Sequence, residues 1–189
     1  MHMDSRINVD QNLAESFKQL VLKMPIEKIT IKDITDGAGV IRPTFYNHFQ
    51  DKYDLLEWIV KNELLGPLFP QIKRGHLEEC LVLIFTNALI MKDFCIRAAK
   101  MEGQNSFESI VRKCIWEMLF TYISARCEDR TFSHSWMTPE IVAEYYAQSL
   151  TFVVMTWIRK DMVVSSEEMA TVYQYIIHRS MDEMLEEML

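Results

Sequence analysis

The chain has 189 residues, of which 49% are hydrophobic, with five glycines, five prolines and a formal net charge of −7. This composition excludes a disordered, collagen-like or broadly basic chain, and the length suits one ordinary domain or a small domain joined to a larger one. We recognise no secretion signal and no uncharged apolar run long enough for a membrane span, so we expect a cytoplasmic protein without a membrane partner.

The first predicted element is an amphipathic helix from about Val9 to Met24, whose apolar residues recur at helical spacing until a proline follows. The tripeptide at 29–31 alternates as a strand does, but Thr30-Ile31-Lys32-Asp33 also has the T-x-x-D pattern of a helix start. We therefore predict a second helix from Ile31 to Ala38. Gly39 follows it and can take the positive φ that ends a helix.

A third short helix is predicted from Arg42 to Phe49, and a fourth begins at Lys52 and ends near Leu65. Pro43 lies in the first turn of the third helix, where its missing N–H costs nothing. Phe45 and Phe49 lie four residues apart on one face, and an aromatic pair at this spacing most often belongs to a core. We expect these two rings to fix the third helix to its neighbours.

Two short helices joined by a tight turn with glycine are typical of a helix-turn-helix, whose second helix enters the major groove of DNA. Although the chain is acidic, six Lys and Arg outnumber four Asp and Glu between Lys18 and Lys52. Such a small basic patch suffices for phosphate contact when the fold collects it on one face. The segment therefore favours DNA binding, although an ordinary solvated face stays an alternative.

The polar residues of the third helix suit different parts of DNA. Arg42 can pair with guanine or phosphate, Asn47 can read adenine, and Thr44 can contact a thymine methyl or a phosphate. The remaining three suit contacts with the phosphate backbone, which position a protein without specifying sequence. They are Tyr46, His48 and Lys52.

Four motifs occur in order in this part of the chain: Thr30-Ile31-Lys32-Asp33-Ile34, Ala38-Gly39-Val40, Thr44-Phe45-Tyr46-Asn47-His48-Phe49 and Lys52 with Asp54-Leu55-Leu56. With these motifs, residues 8–60 resemble the N-terminal DNA-binding domain of the TetR family of bacterial transcription regulators. The resemblance implies that Lys32 approaches bases or phosphate and that Lys52 binds phosphate. It also implies a recognition helix formed by Arg42, Pro43, Thr44, Tyr46, Asn47 and His48. One departure is Ile41, where many members have a small polar N-cap, so the resemblance does not extend to the capping of this helix or to one phosphate contact.

Five further helices are predicted beyond a break at 66–75 that contains two prolines. They are at about His76–Met91, Lys92–Met101, Phe107–Cys127, Pro139–Lys160 and Glu167–Glu187. Thr138 and Ser166 are the predicted N-caps of the last two. The predicted fold class is all-α, with a helix-turn-helix domain at 1–50, a connecting helix at 51–66 and a helical body at 67–189.

The resemblance implies a body that binds a small effector and dimerises through its last two helices. The predicted dimer surface comprises Tyr146, Val153, Trp157, Met169, Tyr173, Ile176 and Ile177. An apolar or amphipathic effector is expected near Trp116, Phe120 and Tyr122, since aromatic residues with methionines suit an adaptable pocket. The same residues also suit a core, and a helix that is apolar nearly all round also suits the centre of a monomer.

No catalytic or metal-binding pattern is present, because the histidines are scattered and no C-x-x-C, H-x-x-x-H or G-x-S-x-G occurs. The four separated cysteines indicate reduced thiols. We therefore expect neither an enzyme nor a cofactor; an enzyme with an apolar cavity would need a catalytic set that we do not find. The leading hypothesis is a homodimeric repressor that binds a palindromic double-stranded operator and is gated by an effector.

The alternative is a transcriptional activator that contacts a partner protein through its body. Residues 103–107 are similar, over this short stretch, to the TetR subgroup that contains the dihydroxyacetone kinase operon activator. This similarity is the reason to keep activation open, since a resemblance to the family does not by itself imply repression.

Overall fold

A computed structural model describes residues 2–74, 77–127 and 132–187, and these ranges contain α-helices and short helical turns but no strand. The all-α prediction is confirmed. The helices are α1 (His2–Val21), α2 (Ile31–Ala38), α3 (Arg42–His48), α4 (Lys52–Ile59), α5 (Phe69–Arg74), α6 (Leu77–Ile90), α7 (Lys92–Ala98), α8 (Phe107–Cys127), α9 (Pro139–Arg159), α10 (Ser166–His178) and α11 (Met181–Glu186). Among these helices, none is long and apolar enough to cross a bilayer. The predicted helix start at His76 lies outside the described residues.

The predicted start and end of α2 are confirmed by its caps. The Thr30 hydroxyl accepts a hydrogen bond from the Asp33 N–H at 3.2 Å, and the Asp33 carboxylate accepts one from the Thr30 N–H at 2.9 Å. This capping box satisfies N–H groups that the helix leaves unpaired. Gly39 then adopts φ 68°, the left-handed conformation in which a Cβ would be strained. These local bonds explain why the strand-like tripeptide at 29–31 leads into a helix.

The head, which we define as α1–α3, is held together by the aromatic residues predicted to be buried. Phe45 has no exposed surface and Phe49 exposes only 4%. Their ring centroids are 5.8 Å apart, and Phe49 meets the Trp58 ring of α4 edge-on at 6.2 Å. Because one face of α3 packs into this core, the opposite face is exposed to solvent.

Gly37 permits the close packing of α1 against α2. The Ser16 hydroxyl of α1 donates a hydrogen bond to the Ile34 carbonyl at 2.8 Å. A Cβ at position 37 would lie 2.3 Å from the Ser16 oxygen, which is closer than real Cβ contacts. The two helices that support α3 therefore approach at a position where only glycine fits without a shift.

The fourth helix departs from the prediction beyond Ile59. It continues as a π-helical turn over Val60–Leu64, closed by the Leu65 N–H donating to the Val60 carbonyl at 3.0 Å. The apolar residues at 56, 60, 64 and 68 are four apart, and each such step overshoots a full α-helical turn by about 40°. The π-helical turn contains more residues per turn and so compensates for this rotation of the apolar residues around the helix. Leu64 and Leu65, at the end of the turn, are both buried.

Two predicted boundaries in the body, which we define as α5–α11, are wrong. The predicted break at 66–75 contains a 3-10 turn at Gly66–Leu68 and α5, because Pro70 lies in the first turn of α5, where proline is compatible with a helix. The predicted helix Glu167–Glu187 is divided into α10 and α11. The division arises because Ser180 forms a new capping box with Glu183.

The predicted N-caps of the last two body helices have different outcomes. Thr138 is confirmed, since its hydroxyl accepts a hydrogen bond from the Ile141 N–H at 3.4 Å. For α10, the cap is Ser165, whose hydroxyl accepts from the Glu168 N–H at 3.2 Å. Ser166, the predicted cap, is instead the first residue of the helix and is buried.

The body is built from two packed helix pairs that share one core with the head. α8 packs along α9, and α6 packs along α10. The Phe85 ring of α6 meets the Trp157 ring of α9 edge-on at 5.4 Å, and Phe94 meets Phe107 in the same manner at 6.2 Å. The buried residues form a continuous cluster from Leu13 of α1 to Tyr173 of α10.

Candidate nucleic-acid interface

The outer face of α3 carries most of the residues predicted to contact DNA. Arg42, Pro43, Tyr46 and Asn47 are exposed, and Tyr46 exposes 59% of its surface. The Tyr46 ring also packs edge-on against the buried Phe45 ring at 5.6 Å, which orients it. A guanidinium, a phenol and an amide on one short helix supply hydrogen-bond donors and acceptors for base edges and phosphates.

The start of α3 has no side-chain cap. Ile41 occupies the N-cap position with extended φ −92° and ψ 155°, and its carbonyl accepts a hydrogen bond from the Thr44 N–H at 2.9 Å. The isoleucine side chain has no acceptor for a helix N–H, and it is exposed. Thr44 is half-buried.

Lys52 lies at the start of α4, but its ammonium is engaged inside the protein. Its Nζ donates to the carbonyl oxygens of Ile26, Glu27 and Ile29 at 2.8, 2.9 and 2.9 Å. Burial lowers the pKa of Lys52, and the carboxylates of Glu27 and Asp51 oppose that shift. An ammonium has three N–H groups, so a phosphate contact would require Lys52 to release a carbonyl. The phosphate contact of Lys52 therefore stays a prediction. In the structure, Lys52 connects the segment before α2 to the start of α4, and a phosphate would compete with these carbonyls for its ammonium.

Two other residues predicted to contact DNA have partners within the head. The His48 Nδ1 lies 2.6 Å from the Asp10 carboxylate of α1, and both side chains are largely buried. Lys32 pairs with Asp36 one turn along α2, where both are exposed. An exposed pair at this spacing contributes only about 0.3–0.5 kcal/mol, so Lys32 can exchange Asp36 for a phosphate, whereas His48 is held against α1.

The far end of α4 is tied to the body by polar contacts. Glu57 accepts a hydrogen bond from the Lys113 ammonium of α8 at 2.8 Å, and the Asn87 amide of α6 donates to the Leu64 carbonyl at 2.8 Å. Burial would raise the pKa of Glu57, but hydrogen bonds from Lys113 and Lys61 lower it overall. The end of the helix that follows α3 is therefore connected to both α6 and α8.

The body contains an apolar cavity of about 340 Å³ lined by residues of α5, α6, α8, α9 and α10. Of the three residues predicted to contact an effector, Tyr122 lines this cavity. Trp116 and Phe120 lie outside its lining, because the α8 face toward the cavity carries Met118, Leu119, Tyr122 and Ile123. They instead stack on each other with ring centroids 5.0 Å apart.

The residues predicted to form the dimer surface lie in several different environments. Trp157, Met169 and Tyr173 are buried in the chain's own core, and the Trp157 indole N–H donates to the Val164 carbonyl at 3.0 Å. Tyr146 and Ile177 line the cavity, as does Tyr173, while Val153 is half-buried and Ile176 is exposed. The periodicity of α9 could not separate these environments, because the helix is apolar nearly all round.

Sequence reasoning found only part of the apolar surface on α9 and α10. Tyr146 and Ile176 are among the residues predicted for the dimer surface, whereas the other exposed apolar side chains of these helices are not. Both helices line the same cavity, through Leu150 of α9 and Tyr173 of α10. Phe152 exposes 69% of its surface, and five further apolar side chains are exposed with it. We call this the α9–α10 surface, and its residues are Tyr145, Tyr146, Phe152, Val172, Tyr175 and Ile176. Tyr145 and Phe152 are two turns apart on α9, and Val172 and Ile176 are one turn apart on α10, so each helix presents exposed apolar side chains on one of its faces. Exposed apolar patches mark interaction sites more often than isolated apolar residues do.

Two families match this chain over separate ranges. Residues 19–59 match the family described as bacterial regulatory proteins, tetR family, and this range includes α2, α3 and α4. Residues 75–179 match the family described as transcriptional regulator C-terminal region, and this range covers more than half of the chain. The two matches together include the exposed face of α3 and the residues that line the cavity, except Ile72 of α5.

A curated relative is the HTH-type dhaKLM operon transcriptional activator DhaS of Lactococcus lactis subsp. lactis (strain IL1403), which is 35% identical over 63 residues. That segment is 33% of this chain and spans about a third, 34%, of the relative's length.

Two solved structures have a similar fold. NalD, the secondary repressor of the MexAB-OprM multidrug efflux pump in Pseudomonas aeruginosa, has a TM-score of 0.61 at 17% identity, over 92% of this chain and 96% of that one. A TetR transcriptional regulator from Streptococcus agalactiae 2603V has a TM-score of 0.62 at 20% identity, over 94% and 98%. From its family matches and its helix-turn-helix, we conclude that the chain belongs to the TetR family of bacterial transcriptional regulators.

Proposed function

We propose that the protein binds double-stranded DNA through α3 and acts as a homodimer on a two-fold symmetric operator. The observation that carries this proposal is the division of α3 into two faces. Phe45 and Phe49 are buried, while Arg42, Tyr46 and Asn47 are exposed on the other side. A short helix held in this way can enter a major groove without losing its own packing.

The exposed residues divide into those that read bases and those that position the protein. The Arg42 guanidinium has two parallel N–H donors for the two acceptors of guanine, and the Asn47 amide has one donor and one acceptor for the adenine edge. Tyr46, Thr44 and Lys32 suit phosphate oxygens, which carry no sequence information. Pro43 shapes the first turn of α3, and His48 steadies its last turn through Asp10.

We expect substitutions of the two groups to have different effects. Arg42→Ala or Asn47→Ala should each relax the preferred base at one operator position, at a cost of about 1–3 kcal/mol for that base. Tyr46→Ala should instead weaken binding to all duplexes by a similar factor. Selection from random duplexes, followed by titrations at one fixed salt concentration, measures both effects.

A matched control for this experiment is Lys160→Ala, which removes a positive charge from the exposed end of α9. Its selected sequence should equal that of the wild type. A wild-type protein that selects no preferred duplex would contradict the proposal, and so would an Arg42→Ala variant with an unchanged preference.

The α9–α10 surface supports the homodimer. Two copies of α9 and α10 related by a two-fold axis would bury Phe152 and Ile176 in a four-helix bundle. A two-fold dimer would carry two copies of α3, one for each half-site of a palindromic operator.

The cavity supports gating by a small apolar or amphipathic effector. Its volume of about 340 Å³ falls within the range of about 300–1,000 Å³ typical of small-molecule sites. Leu81 and Ile84 of α6 line it, and Asn87 on the same helix donates to the Leu64 carbonyl at the end of the π-helical turn. A ligand that displaces α6 would therefore act on the helix that follows α3.

We expect a compound that binds the body to change operator affinity about 5- to 150-fold, and the operator to change the compound's affinity by the same factor. Asn87→Ala should keep compound binding but reduce this coupling, because it removes the bond from α6 to Leu64. Calorimetry measures compound binding, and operator titrations with and without the compound measure the coupling.

The matched control is Asn62→Ala, because the Asn62 amide donates to the Trp58 carbonyl within its own helical segment at 2.9 Å. This variant should retain the coupling of the wild type. Equal operator affinity with and without several chemically different bound compounds would contradict effector gating and leave DNA binding intact.

We propose repression as the outcome of operator binding, because NalD, whose fold is similar, is a repressor. Activation through a partner protein bound to the body is the second candidate, and it is favoured by the 35% identical segment shared with DhaS, a named activator. Transcription in vitro from a promoter beside the selected operator separates the two. Repression requires fewer transcripts with this protein alone, whereas activation requires more transcripts when a partner is added.

A further inference from the structure

Ile41 is a large apolar side chain left in solvent at the start of the recognition helix. It exposes 68% of its surface. Because its side chain accepts no hydrogen bond from a helix N–H, it forgoes the roughly 0.5–2 kcal/mol that a polar N-cap contributes to a helix. The residue therefore serves neither the core nor the cap of α3.

The distribution of exposed apolar residues over the head indicates where Ile41 acts. Among the head residues whose side chains are described, the large apolar side chains that are exposed are Ile41 and Tyr46. Both belong to α3 or its N-cap, and Ile41 directly precedes the exposed Arg42 and Pro43. The N-terminal residues of a recognition helix are those that contact base edges in the major groove.

The major groove offers one apolar group on its base edges, the C5 methyl of thymine. A branched aliphatic side chain recognises this methyl by excluding water from both surfaces. A shorter polar residue at position 41 would instead direct its oxygen to a helix N–H or a phosphate.

We propose that Ile41 packs against a thymine methyl beside the base contacted by Arg42, and thereby selects an A·T pair at that operator position. The inference rests on the proposed binding of DNA by α3. The inference adds Ile41 to the residues that specify bases, at the position where many TetR family members have a small polar N-cap.

The test replaces each thymine of the selected operator in turn by deoxyuridine, which removes the methyl and keeps every base-pairing group. At one thymine per half-site, wild-type affinity should fall about fourfold, the equivalent of one buried methylene-sized group. Ile41→Ser should lose this sensitivity and bind the thymine and deoxyuridine duplexes equally. Ile41→Val should retain part of it.

Thr44→Ser is the matched control, because Thr44 carries the other methyl group able to reach a thymine from α3. If sensitivity to deoxyuridine disappears in Thr44→Ser and persists in Ile41→Ser, the contact belongs to Thr44 and the inference is overturned. Thermal unfolding checks the fold, and Ile41→Ser should melt no lower than the wild type since serine is a better N-cap.

Two failures have different meanings. A wild-type protein that selects no operator overturns DNA binding through α3 and this inference with it. A clear operator at which deoxyuridine has no effect at any thymine, or has the same effect in wild type and Ile41→Ser, overturns the role of Ile41 alone.

Discussion

Phe45→Ala is expected to lower the free energy of unfolding by about 3–5 kcal/mol, the range for an aromatic side chain deleted from a core. Phe45 has no exposed surface, and it contacts the Phe49 ring on its own helix. Since α3 is only seven residues long, it depends on this packing rather than on its own propensity. Operator binding should therefore be lost together with stability.

Urea unfolding followed by circular dichroism measures the loss of stability, and operator titration measures the loss of binding. The control is the neighbouring Tyr46→Ala, which removes an exposed ring and should change stability by no more than about 0.5 kcal/mol. If Phe45→Ala unfolds within about 1 kcal/mol of the wild type, the core of the head does not hold α3 in the way described.

Phe152→Glu is expected to convert the proposed dimer into a folded monomer. Phe152 is 69% exposed in the single chain, so the substitution leaves the fold of the monomer intact. In a dimer it would bury an unpaired carboxylate on each side of the two-fold axis, at a cost of several kcal/mol. The dissociation constant should rise at least about a hundredfold, and operator affinity should fall because the two recognition helices are no longer joined.

Sedimentation velocity at micromolar concentration distinguishes the two states. Ile90→Glu is the control, since Ile90 exposes 77% of its surface at the end of α6, outside the α9–α10 surface. This variant should remain a dimer. A wild-type protein that sediments as a folded monomer would remove the basis for a two-fold operator.

The head could be predicted closely because its signals are local. The capping box of Thr30 and Asp33 spans three residues, the positive φ of Gly39 belongs to one residue, and Phe45 and Phe49 are one turn apart. Such short-range patterns translate directly into helix ends and buried faces. The exposed face of α3 is then the face opposite the buried Phe45 and Phe49.

The contacts that join distant segments could not be predicted in the same way. Lys52 bonds to carbonyls 23 to 26 residues earlier, and His48 meets Asp10 38 residues earlier. No spacing rule connects positions so far apart. The position of Lys52 at the start of a helix therefore suggested a phosphate contact, although its ammonium donates hydrogen bonds to backbone carbonyls of the same chain.

The body was harder to predict because its helices contact neighbours on several sides. Val142, Trp157 and Phe152 all lie on α9, yet Val142 lines the cavity, Trp157 is buried in the core and Phe152 is exposed. Each of these residues appears in the sequence only as a hydrophobic position, so the sequence pattern does not distinguish the three environments. The division between α10 and α11 was readable, by contrast, since Ser180 and Glu183 have the spacing of a capping box.

The π-helical turn at Val60–Leu64 determines how the junction tolerates a change in chain length. A residue added to or removed from an α-helix rotates everything beyond it by about 100°. The π turn already contains one residue more than an α-helical turn, so deleting one residue there would restore a regular helix and keep the apolar faces before and after the turn directed at the shared core. The same deletion within Lys52–Ile59 would rotate the body relative to α3. The turn is thus the position where the linker can shorten by one residue while the two halves of the protein keep their relative orientation.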